Sequence, residues 1–275
     1  MTKLRRIGVV LCFFPLLLAT ACSGTAKKNA ANLVKQPAPV AQMYDKAAAE
    51  LQSGDYNLAA NGFNNVEQNY PYSEWATRAQ LMAAYAYYKN LKYNDAIMAL
   101  DQFIELHPGD QNVAYAYYIK ALCYYEQISD VQRDQQMTRK ALGALRQVRE
   151  RFPDTPYAHD ADLKIDLTLD HLAGKEMEIG RYYLDHQDYQ AAINRFQTVV
   201  TQYQTTTQVP EALERLTEAY TALGITSQAV KSAAILGQNF PQSKWYRDAY
   251  KLVGPHAPIA APKESVYDRT LGKLF

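Results

Sequence analysis

Cysteine is scarce in this chain, net charge is small, and long apolar runs are missing but for one, and each shortage removes a class of protein. Its 275 residues include three cysteines, Cys12, Cys22 and Cys123. Cys12 lies inside the N-terminal apolar run and Cys22 directly after it, so one thiol is left for the fold and a disulfide framework is excluded. Cys123 stands in the apolar stretch Ala121-Leu122-Cys123-Tyr124-Tyr125 and reads as a small buried hydrophobe, not a reactive thiol. Lys and Arg number 29 against 28 Asp and Glu, a formal charge of +1. Removing residues 1–21 takes away Lys3, Arg5 and Arg6 and leaves about −2, so no strong field favours nucleic acid. Catalytic signatures are absent too. The sequence has no G-x-x-x-x-G-K-[ST] phosphate loop, no H-E-x-x-H and no G-x-S-x-G, and its five histidines lack metal-ligand spacing. His159-Asp160-Ala161-Asp162 is the nearest approach to a cluster, and acidic residues at the start of a predicted helix are explained by the helix dipole. Neither an enzyme nor a cofactor or metal protein is expected.

What is present begins at the N-terminus. Lys3, Arg5 and Arg6 precede the apolar run Ile7 to Leu18, and Ala19-Thr20-Ala21-Cys22 follows. A run this short is a signal-peptide core, because a membrane span needs about 20 residues. Small residues directly before Cys22 resemble the lipobox of bacterial lipoproteins, in which the cysteine is lipidated and becomes the first mature residue. Leu is commoner than Ala at position 19 of that pattern, and ordinary secretory cleavage at Ala-x-Ala is the alternative. Ser23 lacks the Asp typical of inner-membrane retention, so the resemblance implies an outer-membrane anchor facing the periplasm. Residues 22–40, with Lys27-Lys28 and Pro37-Ala38-Pro39, read as a tether, and residues 254–275 as a Pro-rich tail.

Between them, at 41–253, a cadence repeats: a turn, Ala three residues on, an apolar residue four further on, then Pro. It appears at Ala59, Phe63 and Pro71; at Ala96, Leu100 and Pro108; at Ala141, Leu145 and Pro153; at Ala192 and Phe196, with Gln204 where Pro is expected; and at Ala229, Ala233 and Pro241. These are tetratricopeptide-like hairpins, which bury a small residue where two helices cross. The anchor alanines lie 37, 45, 51 and 37 residues apart. An all-α solenoid of about five irregular hairpins is predicted, with helices that include 157–173 and a separate 175–186. Ser129 to Gln136, polar and charged, accounts for the 45-residue step and is expected to protrude as a contact loop.

Tyrosine is unusually abundant, with 22 residues. Ala-Tyr-Ala-Tyr-Tyr occurs at 84–88 and 114–118, but the anchors put the copies at different phases, so Ala84 pairs with Ala121, Tyr87 with Tyr124 and Tyr88 with Tyr125. On that register Ala84, Tyr87, Ala121 and Tyr124 face partner helices, while Tyr85, Tyr88, Tyr115, Tyr118 and Tyr125 turn to the concave face. Apolar rings with polar tips suit an extended peptide, although a tyrosine stripe at helical spacing is also what a core looks like.

Several blocks are more specific than the repeat consensus: Tyr70-Pro71-Tyr72-Ser73, Tyr93-Asn94-Asp95-Ala96-Ile97, Phe103-Ile104-Glu105-Leu106-His107-Pro108, His171-Leu172-Ala173-Gly174-Lys175-Glu176, Gly180-Arg181-Tyr182-Tyr183 and Ala192-Ile193-Asn194-Arg195. Over about residues 33 to 253 the chain resembles the BamD family, lipoproteins of the β-barrel assembly machinery of the bacterial outer membrane. The resemblance implies an adaptor that binds the POTRA domains of BamA through its C-terminal repeats, sits beside other lipoproteins of the complex, and engages unfolded outer-membrane proteins with its N-terminal repeats. Such clients end in a strand with a terminal aromatic residue. It also implies that Asn194-Arg195 occupies the motif contacting BamA, and Arg195, just before Phe196, falls on an exposed side of its helix. Two other readings stand beside it: a periplasmic repeat lipoprotein coordinating peptidoglycan synthesis or constriction, and a noncatalytic subunit of a murein hydrolase. The first kind of relative usually carries a coiled coil, and no heptad run precedes residue 41.

Overall fold

The computed structural model describes residues 39–254. The expected signal segment, Cys22, most of the tether and the tail from residue 255 lie outside the described residues. Among those described, regular structure consists of eleven helices: α1 Pro39–Ser53, α2 Tyr56–Asn69, α3 Glu74–Lys89, α4 Tyr93–Leu106, α5 Val113–Tyr125, α6 Gln136–Arg151, α7 Pro156–Asp185, α8 Tyr189–Gln202, α9 Val209–Ala222, α10 Thr226–Asn239 and α11 Lys244–Val253. They pair as five hairpins, α1/α2 through α9/α10, and α11 packs on both α9 and α10 to close the array. The all-α tetratricopeptide solenoid read from the cadence is the fold.

Local chemistry explains the element boundaries. Ala59, Ala96, Ala141, Ala192 and Ala229 are each 0% exposed, and such small residues let neighbouring helices approach closely. Each second helix ends on an aromatic ring or imidazole, at Tyr70, His107, Phe152, Tyr203 or Phe240, whose N–H donates to the carbonyl four residues back. Tyr203 adopts this geometry although Gln204 follows it, so the missing Pro does not loosen that end. The first helices α3, α7 and α11 are capped by Ser73, Thr155 and Ser243, whose hydroxyls accept from the backbone N–H three residues on, each cap contributing about 1 kcal/mol. The tight turns inside the hairpins use left-handed backbone, at Gly54 and Gly224 with φ of 88° and 73°, but also at Leu91 and Gln187 with 59° and 63°.

Two expectations are corrected. The predicted pair 157–173 and 175–186 is one helix, α7, of 30 residues. A glycine inside a helix costs only about 1 kcal/mol, and Val131 of the insertion lies beside Gly174 at a distance where even an added methyl group would make an ordinary contact. That contact also corrects the second expectation. Ser129–Gln136 does not protrude freely: Lys175 Nζ donates to the Gln132 carbonyl at 2.9 Å. Buried Gln135 donates to the carbonyls of Asp130, Val131 and Arg133 and accepts from Thr138 Oγ1. The insertion is folded onto the middle of α7, and the extra length of that helix supplies the 51-residue step.

Candidate functional site

Successive first helices touch, α1 with α3, α3 with α5, α5 with α7 and α9 with α11, whereas successive second helices make no comparable contact. The first helices therefore lie on the short, inner side of the solenoid, the side repeat proteins use for extended binding surfaces. On it the structure brings four of the five expected tyrosines into one row. Tyr88 and Tyr85 of α3 have ring centroids 6.3 Å apart, Tyr85 is 6.3 Å from Tyr115 of α5, and the row continues to Tyr157 of α7 at 5.5 Å and from there to Tyr118 in a stacked pair at 5.2 Å. Tyr93, at the start of α4, extends it at the other end, 6.1 Å from Tyr88. Tyr125 stands apart, with the Lys164 ammonium 5.6 Å from its ring centroid.

All of these rings are partly buried, so they are neither sealed core nor free surface. Burial pushes the Tyr88 phenol up to about 12 and raises Tyr115 and Tyr118 further, the latter also through its bond to Asp160. Tyr88, Tyr115 and Tyr118 are consequently held as neutral phenols. Tyr118 donates to Asp160 Oδ2 at 2.6 Å, and Lys164 Nζ bonds the same carboxylate at 2.8 Å. Burial alone would raise the Asp160 carboxyl, but the bonds from Lys164 and Tyr118 and the lysine charge hold it below its ordinary value. Beyond Asp160 on α7, Leu163 and Leu167 are 67% and 61% exposed. Leu167 also lines a cavity of about 370 Å³ with Tyr125, Ile128 and His171. The inner side of repeats two to four thus offers aromatic and aliphatic surface with hydroxyls along it, suited to an extended chain.

Sequence reasoning missed Tyr93, Tyr157, Asp160 and Lys164. The acidic signal at Asp160 was visible, but its partner Tyr118 is 42 residues away. The register assigned to the neighbouring positions holds: Ala84 and Ala121 are 0% exposed, the Tyr87 hydroxyl accepts from Asn64 of α2 at 2.8 Å, and Tyr124 lies under Lys140 of α6.

The other expected site lies on α8. Asn194 is exposed and its side-chain oxygen accepts from Gln190 at 3.4 Å. Arg195 is not fully exposed: its side chain is 41% accessible and one guanidinium nitrogen meets Glu176 of α7 at 3.1 Å. One ion pair to the long first helix thus orients the arginine.

A third constellation, with no sequence signal beyond its charges, links α7 and α9. Arg181 bonds Glu178 at 3.2 Å and Glu211 at 3.1 Å; Arg215 bonds Glu218 at 2.8 Å and lies over the Trp245 ring. Glu214 beside it is 5% exposed. Arg215 Nε approaches its Oε2 to 3.5 Å, yet neither atom has a hydrogen-bond partner, so the pair is a charge contact without an aligned bond. Burial raises the Glu214 carboxyl to about 7, offset in part by Arg215 and reinforced by Glu218, Asp248 and Glu211.

No helix among the described residues is long and apolar enough to cross a membrane. The family model described as YfiO, outer membrane lipoprotein, matches residues 36–235. The outer membrane protein assembly factor BamD of Caulobacter vibrioides is 47% identical over 259 residues, 92% of this chain and 84% of its own length. Its namesake from Rickettsia prowazekii is 45% identical over 228 residues, covering 83% and 90%, and that of Neisseria meningitidis serogroup A is 34% identical over 245 residues, covering 86% and 91%. Among solved structures, the tetratricopeptide domain of P58(IPK) aligns with 86% of this chain and 62% of its own at 14% identity and a TM-score of 0.41. By the family match and these identities, the chain belongs to the BamD family of outer-membrane lipoproteins, the assembly factors for outer-membrane proteins.

Proposed function

We propose that this chain is a noncatalytic, lipid-anchored scaffold for β-barrel assembly in the outer membrane. Its inner tyrosine row holds an extended segment of an unfolded outer-membrane protein, and the α8 face around Asn194 and Arg195 meets the POTRA domains of BamA. Cys22 carries the lipid that keeps the solenoid at the periplasmic face, among the other lipoproteins of the complex. The observation that carries the reading is the row itself: five partly exposed rings on three consecutive first helices, with Tyr93 of α4 at one end and Leu163 and Leu167 beyond the other. A strand has side chains on alternating faces, and one apolar face of it can lie along such a row. The guanidinium of Arg195, oriented by Glu176 and still partly accessible, offers a carboxylate on a partner a charged contact.

The test is a titration of the full-length chain with a peptide copying the terminal strand of an outer-membrane β-barrel. Tyr85→Ala with Tyr88→Ala removes two partly buried rings that meet other tyrosines and pack on the edge of the α3–α5 core, so the fold of the variant is checked alongside its binding. Loss of two anchors weakens binding by about 1 to 3 kcal/mol, while circular dichroism stays helical. Unchanged affinity with the fold intact refutes the groove. For the second face, Arg195→Gln is the cleaner variant, because a glutamate there would oppose Glu176. It lowers affinity for the POTRA domains by about tenfold or more, and equal titration curves refute that contact.

A further inference from the structure

The tyrosine row leads into a cavity of different chemistry. The Tyr118 phenol bonds Asp160, Lys164 bonds the same carboxylate, and the Lys164 ammonium lies 5.6 Å from the ring centroid of Tyr125. Tyr125 is the last residue of α5, whereas α7 runs on beside it to Asp185. At the step where the shorter helix ends, a cavity of about 370 Å³ opens, lined by Tyr125, Glu126, Ile128, Leu167, Thr168 and His171. Ile128, Leu167 and the Tyr125 ring give it apolar walls, and Glu126 gives it a carboxylate.

No contact within the fold accounts for that carboxylate. Glu126 is exposed and forms no ion pair with the described residues. As the C-cap of α5 it stands at the negative end of the helix dipole, where an acidic side chain is disfavoured. Its charge is felt in the row: burial raises the Tyr88 and Tyr93 phenols, and the Glu126 carboxylate raises them further. Lys164, the cation flanking Tyr125, is committed to Asp160 at 2.8 Å. A carboxylate set against the dipole and left unpaired breaks a local rule without a compensating gain, as functional sites do. What it lacks is a cation.

We infer that the cavity is a subsite for one arginine or lysine side chain of the extended segment that the inner row holds. The aliphatic stem lies against Leu167, Ile128 and the Tyr125 ring while the charged head stays near water. The head meets Glu126, and the end of α5 adds an attraction of the same sign. A segment selected in this way carries its apolar residues along the tyrosines and a basic residue just beyond them, towards α7. An acidic residue at that place is repelled. The inference rests on the reading of the row as a binding surface, and it adds a charge preference at one end of the bound segment.

The probe is a short labelled strand peptide of alternating Tyr and Thr, extended at one end or the other by Arg, norleucine or Glu. Its binding to the Cys22→Ser chain is followed by fluorescence anisotropy at low salt. At the end that reaches the cavity, the Arg peptide binds about fivefold tighter than the norleucine peptide, the scale of one accessible ion pair, and the Glu peptide binds weakest. Glu126→Gln abolishes the preference for Arg and Glu126→Lys turns it towards Glu, with helical content unchanged because the side chain is exposed. Leu167→Ser weakens the Arg and norleucine peptides alike, since it removes a wall and no charge. Equal binding of all the peptides, or a preference for Arg that survives Glu126→Gln, overturns the inference and leaves the row standing. Peptides that do not bind, or that bind the Tyr85→Ala and Tyr88→Ala variant as tightly as the parent, overturn the row and this inference with it.

Discussion

Replacing Glu214 by Gln should stabilise the protein at neutral and alkaline pH and do markedly less in mild acid. The carboxyl is 5% exposed, its Oε2 has no hydrogen-bond partner, and burial raises it from 4.5 to about 7. A raised carboxyl holds its proton more tightly in the folded chain than in the unfolded one. Its contribution is therefore intact below the unfolded value of 4.5 and is lost as pH rises through about 7. A shift of this size corresponds to about 3 kcal/mol at full ionisation. Glutamine keeps the shape of the protonated form, so it escapes this loss, and it gives up only an unaligned charge contact with Arg215, which keeps Glu218 and Glu211. Urea unfolding of the Cys22→Ser chain with and without Glu214→Gln, at pH 5 and pH 8, measures the difference. The glutamine variant gains about 1 kcal/mol at pH 5 and about 3 kcal/mol at pH 8. An advantage that does not grow with pH, or a variant weaker than the parent at pH 8, would show that the Arg215 charge outweighs desolvation at this site.

Four further outcomes are expected. Gly180→Ala places a methyl group into the ring of fully buried Phe196 and costs about 1 to 3 kcal/mol by chemical denaturation. Leu91→Gly relieves a left-handed leucine that is 70% exposed; it raises the melting temperature through a gain of up to about 1 kcal/mol, whereas the same change at exposed Leu163 inside α7 lowers it. Tyr118→Phe keeps the ring stack but removes the bond to Asp160, costing about 1.5 kcal/mol at pH 7; because Asp160 is held below its ordinary value, that cost shrinks as acid protonates the carboxylate. Cys22→Ser moves the protein from the membrane fraction to the soluble or unprocessed fraction on cell lysis, and a mature N-terminal peptide bearing unmodified Cys22 would refute lipidation.

The parts of this molecule that could be read from sequence are those decided within one repeat. Ala59, Ala96 and their equivalents depend on neighbours a few residues away, so the cadence located them and the fold followed. Gly174 misled because a glycine is a weak stop, costing about 1 kcal/mol, and it lies beside Val131, a neighbour 43 residues away that no local pattern reports. Arg195 was placed on the correct flank by the helical wheel, but its partner Glu176 belongs to another helix. The tyrosine row shows the same division. Tyr85, Tyr88, Tyr115 and Tyr118 were found because their helices carry the repeat phase, while Tyr157 joins them from the start of α7, which packs beside α5 as successive first helices do, in a contact that the two Ala-Tyr-Ala-Tyr-Tyr copies do not report. Tyr125, one regular step beyond Tyr88, was grouped with the row by that same phase, and it leaves the row because α7 presents Lys164 to it in place of a ring. In an irregular solenoid the period determines what each hairpin buries, and the departures from the period determine what the inner face displays.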